Sequence, residues 1–485
     1  MTQSEQKPAP TKAPLNETNL DPNDWNDFRK DAHKVLDACI DHLQNAKDKP
    51  WQPIPNDKHA ALNPKLNTSP KPRKDIIKSM LADIMPHATG NTHPRFFGWV
   101  HGTGMPSALL GEMVAATMNS NCGGRDHAAI YTERCVLNWC KDIFDFPKTS
   151  SGLLTVGTSQ ATIIALVTAR NKALGINIRK TGITDTPKIA VYCAEGTHAC
   201  VEKALQIMGH GSDALRKIKT NGPSGSINIE SLKAEITKDQ SNDIIPLAIV
   251  GTAGSVNTGA FDDLNALADL CEQYKTWLHI DGAFGAWAHI ADAPWSNLTN
   301  GIERADSIAF DFHKWMSVQY DCGAVLIKDS DLHYNSFAMR PAYLAEQAKG
   351  LGGGDQWFCD FGTDLSRSFR ALKIWSSLQE HGLDAFSKVI TENCQHASYM
   401  ADLINASDAL ELAAPVISNV CTFFVKGPDD RNAEIVQQLQ LNGDAVFSTT
   451  KIEGRTAIRA AIVNHRTRFK DIDIAINSVL KNIEG

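Results

Sequence analysis

The chain has 485 residues, of which 42% are hydrophobic and 21% are charged, and its formal net charge at pH 7 is −7. This length predicts two or three domains. The negative charge offers no basic field to nucleic acid or to an anionic membrane. No apolar run reaches the roughly 20 residues that a membrane-spanning helix needs, so we expect neither kind of partner.

Cysteine usage and the N-terminal residues bear on the compartment. Eleven cysteines are scattered through apolar segments such as VYCAEG, and none forms a CxxC pair. This pattern is typical of reduced, buried thiols in a cytosolic protein. The N-terminus lacks the apolar segment of a signal peptide, which also favours a cytoplasmic location. No group of cysteines and histidines has the spacing of zinc ligands, so no metal is expected.

The first 90 residues contain two predicted segments. Residues 1–22 are polar and rich in proline, and they predict a disordered tail. Residues 23–90 predict helices, because WNDFRKDAHKVLDACIDHLQNA places its apolar residues at helical spacing. A helical segment of this length is short for an independent core. It would pack on the rest of the chain or, as we predict, on a partner subunit.

Residues 91–375 predict a large domain in which short apolar strands alternate with helices. Such alternation predicts an α/β fold with a mainly parallel central sheet and helices on both faces. Ligands of such sheets bind at the carboxyl ends of the strands. Residues 376–485 predict a small C-terminal α+β domain with a long helix, short strands and a final amphipathic helix. The predicted strands of the large domain are residues 188–194, 246–253, 276–283, 307–313 and 323–328.

The strongest functional pattern lies at two neighbouring strand ends. HIDGAFGAW (279–287) ends one strand with Asp281, and DSIAFDFHKWMSVQYDCGAVL (306–326) places His313 and Lys314 after the next strand. This pattern resembles the group II pyridoxal-phosphate decarboxylases, the family of the aromatic-amino-acid, glutamate and histidine decarboxylases. The resemblance extends over most of the chain. It implies the type I, aminotransferase-like fold, a homodimer, an amino-acid substrate, and pyridoxal 5′-phosphate as cofactor.

The resemblance also assigns the central groups of the reaction. Lys314 would hold the cofactor as an imine, since a lysine amine condenses with the cofactor aldehyde. Asp281 would keep the pyridine nitrogen protonated and so strengthen the electron sink. EGTHACVEKAL (195–205) resembles the family's H-S-S-V-x-K-A motif. His198 would then stack on the pyridine ring and touch the substrate carboxylate, and Ala283 would pack on the opposite face.

The cofactor phosphate is expected at GLLTVGTSQATIIALVTARN (152–171). A glycine and two hydroxyl residues precede a helix, so free backbone N–H groups and the positive helix end are available to an anion. Simple N-capping of the helix is the alternative. The match to the family's phosphate loop favours Gly157, Thr158 and Ser159 as phosphate binders. Asp311 matches a position that also lies near the phosphate in this family.

TAGSVNTGAFDDL (252–264) matches another motif of the family. Thr252 is expected near the edge of the cofactor that carries the lysine. His313, directly before the lysine, is also assigned to the cofactor site. Asp262 and Asp263 are expected to cap the helix that follows.

Residues 340–357, RPAYLAEQAKGLGGGDQW, have little core character, and their glycines predict the flexibility of a closing lid. An ordinary surface loop is the alternative. The Pro-x-Tyr-Leu at the start matches the family's mobile catalytic loop, so Tyr343 would protonate Cα after carbon dioxide leaves. SRSFRALKIW (366–375) matches a family segment near the dimer interface and the cofactor phosphate. Arg459 matches a small-domain arginine, for which we expect a structural role.

The resemblance is weakest on the substrate side. HPRFFGWVHGTGMPSALLGEM (93–113) aligns with the family's H-P-x-F-F segment. The aromatic-amino-acid enzymes usually continue with Tyr-Phe-Pro-Thr, where this chain has Trp99, Val100, His101 and Gly102. We assign these four residues to the substrate pocket. Trp99 and Val100 could hold an aromatic side chain, whereas His101 could bind a polar group, so the identity of the amino acid is left open.

Together these residues predict a carboxy-lyase that converts an L-amino acid, with an aromatic one as the first expectation, to its amine and carbon dioxide. The alternatives are a decarboxylase of a non-aromatic amino acid, an aldehyde synthase on the same scaffold, and a catalytically silent protein that binds pyridoxal phosphate. Aldehyde synthases characteristically lose the lid tyrosine or the stacking histidine. This chain has both Tyr343 and His198, which favours simple decarboxylation.

Overall fold

The computed structural model describes residues 18–222, 225–339, 350–354 and 356–484. Two compact units divide the chain, Met1–Gln44 with Pro55–Pro86 and Asn45–Ile54 with His87–Gly485. Most of the predicted tail, and residues 340–349 of the predicted lid with Tyr343, lie outside the described residues. No described helix is long and apolar enough to cross a membrane.

The helices and strands have the following bounds. The α-helices are α1 (Trp25–Gln44), α2 (His59–Leu62), α3 (Arg73–Ser79), α4 (Pro106–Met118), α5 (Ala128–Ile143), α6 (Thr158–Leu174), α7 (Ile178–Thr181), α8 (Cys200–Ile207), α9 (Ile229–Ser241), α10 (Leu264–Tyr274), α11 (Ser330–Phe337), α12 (Ala371–Asn405), α13 (Arg431–Asn442) and α14 (Phe469–Glu484). The strands are β1 (Ser151–Thr155), β2 (Ile189–Ala194), β3 (Leu215–Ile218), β4 (Ile245–Thr252), β5 (Trp277–Asp281), β6 (Ser307–Asp311), β7 (Gly323–Ile327), β8 (Leu410–Leu412), β9 (Val420–Val425), β10 (Ser448–Ile452) and β11 (Arg455–Ala461).

The smaller unit is helical, as the spacing of its apolar residues predicts. Arg73 links α3 to α1 within this unit, by ion pairs with Asp27 at 2.6 Å and Asp31 at 2.8 Å. Two aromatic side chains of α1, Trp25 and Phe28, remain 59% and 40% exposed. The unit thus leaves apolar side chains uncovered, as expected of a segment too short to form its own core.

The larger unit is built on a seven-stranded sheet in the order β1–β7–β6–β5–β4–β2–β3. Strands β3, β2, β4, β5 and β6 are parallel, and β7 runs antiparallel to both β6 and β1. All residues of β1, β2, β5, β6 and β7 are buried. Burial on both faces explains the continuous apolar runs in these strands. The predicted mainly parallel sheet is confirmed.

A second, four-stranded antiparallel sheet follows, in the order β10–β11–β9–β8. It packs with α13, α14 and the C-terminal part of α12 around a core of its own. The domain boundary predicted at residue 376 falls inside α12, which runs through that position. The helix departs from helical geometry further on, at Gly382, whose φ of +69° suits glycine because it has no Cβ.

Candidate active site

The site lies at the edge of the large sheet where the parallel strands end. β4 ends at Thr252 and β5 at Asp281, and these two residues are directly opposite each other. β6 ends at Asp311, and Lys314 follows three residues later. Carboxyl ends of parallel strands share one edge, so the sheet brings together residues that are distant in sequence.

Strand β1 brings the predicted phosphate loop to the same edge. β1 and β6 both pair antiparallel with β7, and Thr155 and Asp311 are each opposite Gly323. A Cβ at Gly323 would lie 2.6 Å from the Cα of Gly157 and closer still to Oδ1 of Asp311. Glycine at this position therefore allows the loop and the carboxylate to meet.

These elements surround a cavity of about 510 Å³, which is within the usual range for cofactor and substrate pockets. Tyr320 and Cys200 line it, although the sequence did not single them out. Of the residues assigned from sequence, the following line the cavity: Trp99, Val100, His101, Gly157, Thr158, Ser159, His198, Thr252, Asp281, Ala283, Asp311, His313 and Lys314.

The predicted phosphate loop lies at one end of the cavity, at the start of α6. The backbone N–H of Thr158 donates to Oδ1 of Asp311 at 2.8 Å. The Thr158 hydroxyl is buried without a hydrogen-bond partner, and a buried polar group normally has one. A phosphate in this corner would satisfy that hydroxyl and lie near the positive end of a 17-residue helix. The corner therefore fits an anionic group.

Lys314 lies beside a carboxylate and an imidazole. Its Nζ is 3.0 Å from Oδ2 of Asp311, and Nε2 of His313 is 3.6 Å from the same oxygen. Nδ1 of His313 accepts the backbone N–H of Cys322 at 2.9 Å, so the ring proton of the neutral tautomer is on Nε2. Burial lowers the pKa of His313. It is therefore neutral at pH 7.

Asp281 is only 5% exposed. Its Oδ1 accepts the N–H of Ala283 at 3.2 Å, and the thiol of Cys200 lies 3.8 Å from Oδ2. Burial raises the pKa of Asp281, and the charges of Lys314 and His198 oppose that change. A buried carboxylate with so few donors would be stabilised by a cation placed beside it, so it fits the protonated nitrogen of a pyridine ring.

His198 and Thr252 complete the cofactor side. Nδ1 of His198 accepts the backbone N–H of Cys200 at 3.2 Å, so Nε2 is the ring nitrogen left to contact a ligand. The Thr252 hydroxyl is 3.4 Å from that of Thr197. Ala283 has a methyl group only, so it leaves room for a flat ring.

The two acids after Thr252 behave differently from each other. Asp263 caps α10 by accepting the N–H of Ala266, as predicted. The prediction for Asp262 is wrong: its carboxylate is buried and accepts the backbone N–H groups of Ile227 and Thr252, each at 2.7 Å. Burial raises the pKa of Asp262 to about 6. It therefore ties the end of β4 to the chain before α9.

The opposite wall consists of Trp99, Val100 and His101. Trp99 has a left-handed backbone, with φ of +52°. Its carbonyl accepts a hydrogen bond of 3.0 Å from Nη1 of Arg459, which also contacts the hydroxyl of Ser448 at 3.1 Å. Arg459 is 3% exposed, and burial lowers its pKa to about 10. This arginine supports the wall from behind.

Gly102 lies behind this wall and does not line the cavity. A Cβ at Gly102 would lie 2.5 Å from the carbonyl oxygen of Lys314 and closer still to that of His313. The wall and the turn that carries the lysine are thus in direct backbone contact. Among the described residues, no group of three or more histidine, cysteine, aspartate or glutamate side chains is arranged to hold a metal ion.

Comparison with known proteins assigns the chain to a family. The family model described as "Pyridoxal-dependent decarboxylase conserved domain" matches residues 55–426. An aromatic-L-amino-acid decarboxylase from Bacillus atrophaeus is 29% identical over 92% of this chain and 93% of its own length. A phenylacetaldehyde synthase from Petunia hybrida is 27% identical over 95% of this chain and 94% of its own length.

Solved structures show the same fold. The structure titled "Oryza sativa TDC with PLP and tryptamine" has a TM-score of 0.87 and 24% identity, and the match covers 96% of this chain and 99% of that one. Mouse CSAD has a TM-score of 0.88 at 20% identity, with 95% of this chain and 99% of that one covered. The expected type I fold is therefore confirmed.

Proposed function

This chain belongs to the pyridoxal-dependent decarboxylase family, and from that premise we propose that it converts an aromatic L-amino acid to its amine and carbon dioxide. Members of the family are carboxy-lyases that depend on pyridoxal phosphate. Relatives of this chain are named for aromatic amino acids, tryptophan and tyrosine. The substrate class and the residue roles below are our proposal.

The observation that carries the proposal is the convergence of Lys314, Asp281, His198 and the loop before α6 on one cavity. These groups come from four separate segments, and each fits a different part of the cofactor. Gly157, Thr158 and Ser159 would hold the phosphate at the helix N-terminus. Asp281 would hold the ring nitrogen. The ring would lie between His198 and Ala283, and Thr252 would lie at its edge.

When bound, pyridoxal phosphate supplies the electron sink for cleavage of the Cα–carboxylate bond. Lys314 would hold the cofactor through its side-chain amine, which is the group that condenses with an aldehyde. Asp281 keeps a proton on the ring nitrogen, because a carboxylate buried with few donors gains from a neighbouring cation. His198 would contact the substrate carboxylate through Nε2, since its Nδ1 accepts the N–H of Cys200. Tyr343, outside the described residues, would return a proton to Cα.

The wall supports an aromatic substrate. Trp99, Val100, His101 and Tyr320 are aromatic, apolar or heteroaromatic. Among the described lining residues, Lys314 is the one lysine or arginine, and the acids, Asp281 and Asp311, lie at the strand ends. A charged substrate side chain would therefore lose its hydration at this wall without gaining a partner of opposite charge from the described residues.

We also propose a homodimer in the cytoplasm. The dimer follows from the family resemblance, and the exposed Trp25 and Phe28 of α1 support a contact with a partner subunit. All eleven cysteines are free, which is typical of a reducing compartment.

The test is a screen of the purified, cofactor-loaded protein against the common L-amino acids, with carbon dioxide, amine, aldehyde and ammonia all measured. We expect equimolar carbon dioxide and amine from an aromatic amino acid, and neither product from the Lys314→Ala variant. Aldehyde and ammonia instead of amine would reassign the chain to the aldehyde synthases. Turnover of a charged or aliphatic amino acid alone, or none at all, would refute the proposed substrate class.

A further inference from the structure

Tyr320 and His101 form the part of the cavity wall that is both aromatic and polar. Tyr320 lies in the loop between β6 and β7, and 49% of its surface is exposed. Its ring is 4.4 Å from that of His313 and 6.1 Å, edge to face, from that of His101. The two side chains come from separate segments, and both line the cavity that also contains Lys314.

The imidazole of His101 is a neutral hydrogen-bonding group. It packs against both Phe96 and Trp99, and its ring centroid lies 5.8 and 5.6 Å from theirs. Burial and the charge of Lys314 both lower the pKa of His101, and no hydrogen bond from a described residue offsets them. No hydrogen bond from a described residue occupies its ring nitrogens, so they remain to contact a ligand. A neutral imidazole offers one donor and one acceptor.

Burial raises the pKa of Tyr320 to about 12, although a backbone hydrogen bond from Gly102 opposes that change. The Tyr320 hydroxyl is therefore protonated at pH 7 and can act as a donor. His101 and Tyr320 together provide two donors and one acceptor beside an aromatic wall.

We propose that His101 and Tyr320 make this site selective for an aromatic amino acid that carries a ring hydroxyl. A phenolic hydroxyl both donates and accepts, so it can pair with Tyr320 and with the imidazole at once. An indole N–H only donates, and a phenyl ring does neither, so both leave polar groups of the wall unpaired. The inference rests on the proposed function, because it assumes an aromatic side chain at this wall.

Two comparisons test the proposal with the cofactor-loaded enzyme. The first is kcat/KM for L-tyrosine against L-phenylalanine, which differ by one hydroxyl. Leaving a buried polar group unpaired has a free-energy cost, and because this wall is half-exposed, we take the lower end of its range. We therefore expect roughly a 10-fold preference for tyrosine. The second is the dissociation constant of tyramine against phenethylamine, measured by calorimetry, which should differ in the same direction and does not depend on turnover.

The variants Tyr320→Phe and His101→Phe keep a ring at each position and remove its polar group. Each variant should lower both ratios toward one, because it weakens the binding of the ligand with a ring hydroxyl and leaves the binding of the phenyl ligand unchanged. Tyr399→Phe is the matched control, since the Tyr399 hydroxyl bonds to Asp473 in the small domain, and it should leave both ratios unchanged. Cofactor absorbance and melting temperature would reveal a misfolded variant. If one of the two variants misfolds, the other still tests the proposal.

Ratios near one in the wild-type enzyme, or ratios that neither variant changes, would overturn the proposal. A preference for L-tryptophan over L-tyrosine would also overturn it. If no aromatic amino acid is decarboxylated, the proposed function fails. The dissociation constants of tyramine and phenethylamine still test this inference in that case. Tighter binding of tyramine that Tyr320→Phe abolishes would then support it, and equal binding would refute it.

Discussion

Gly102 provides a direct test of how the cavity wall meets the turn that carries Lys314. In Gly102→Ala, the new Cβ would be 2.5 Å from the Lys314 carbonyl oxygen, 2.8 Å from the His313 carbonyl carbon and closer still to the His313 oxygen. Real Cβ contacts under 3.0 Å essentially never occur. All three neighbours are backbone atoms and cannot rotate away, so the wall and the turn must separate.

The expected effects follow from that separation. Relieving the contacts requires a shift of about 1 Å, and a displacement of that size in an active site lowers the rate roughly 100-fold. Overpacking of this kind also costs about 1–3 kcal/mol of the free energy of unfolding. We therefore expect Gly102→Ala to retain the cofactor's visible absorbance while kcat/KM for the best substrate falls by about two orders of magnitude.

Gly196→Ala is the matched control. A Cβ at Gly196 would meet only Nδ2 of Asn257, at the ordinary distance of 3.8 Å. Its kcat/KM should stay within about twofold of wild type, and its free energy of unfolding within about 0.5 kcal/mol. Steady-state kinetics gives kcat/KM and denaturant unfolding gives the free energy of unfolding, and both are compared between the two variants. If Gly102→Ala matches the control, then the wall does not rest on the lysine turn as described.

Four further variants extend the reasoning. Asp281→Asn should raise the cofactor dissociation constant roughly 10- to 100-fold by removing a charged hydrogen bond, as measured by equilibrium titration; unchanged affinity would remove its role. Tyr343→Phe should shift products from amine to aldehyde and ammonia with oxygen consumed, and an unchanged product ratio would leave it without a part in protonation. Arg367→Met should cost about 3–5 kcal/mol in denaturant unfolding, since it leaves the buried Glu133 without its partner; a loss under 1 kcal/mol would contradict this. Burial lowers the pKa of His279 to about 3, so its contribution to stability is complete above pH 6.5 and is lost as pH falls toward 3. The free energy of unfolding should therefore decline between pH 6.5 and 4.5, and His279→Gln should make that decline smaller by about 2–3 kcal/mol. An unchanged slope would mean that His279 takes up protons while folded.

Much of the large sheet could be predicted from local sequence. Strands β2, β4, β5, β6 and β7 lie within a residue or two of the predicted apolar runs. Burial on both faces makes such strands continuously apolar, which a single sequence reveals. Strand β3 has no such signal, because Leu215 and Arg216 are half-buried and Lys217 is exposed at the sheet edge. Strand β1 was also not predicted, since its pairing with β7 joins segments far apart in sequence.

Some residues of the candidate site could likewise be predicted from the sequence, and others could not. The residues assigned to the cofactor follow strand ends or precede helices, so their convergence follows from the order of the parallel strands. Cys200 could have been found from the motif around His198, where it replaces a serine. Tyr320 lies within the quoted segment 306–326 but was given no role, because it reaches the cavity only where the chain turns back into β7 after the lysine. Asp262 was misread because a buried carboxylate that accepts two backbone N–H groups looks, in sequence, like a helix cap.

This division has a consequence for substrate choice. The residues assigned to the cofactor lie at strand ends that sheet register fixes, so a change there would disturb the whole edge. The residues assigned to the substrate lie on two loops that meet through Gly102, with the buried Arg459 holding the Trp99 carbonyl. Side chains on such loops can change while the backbone contact stays. Relatives with the same fold can therefore differ in their amino acid, and in this chain the choice falls to His101 and Tyr320, where the proposed selectivity is to be tested.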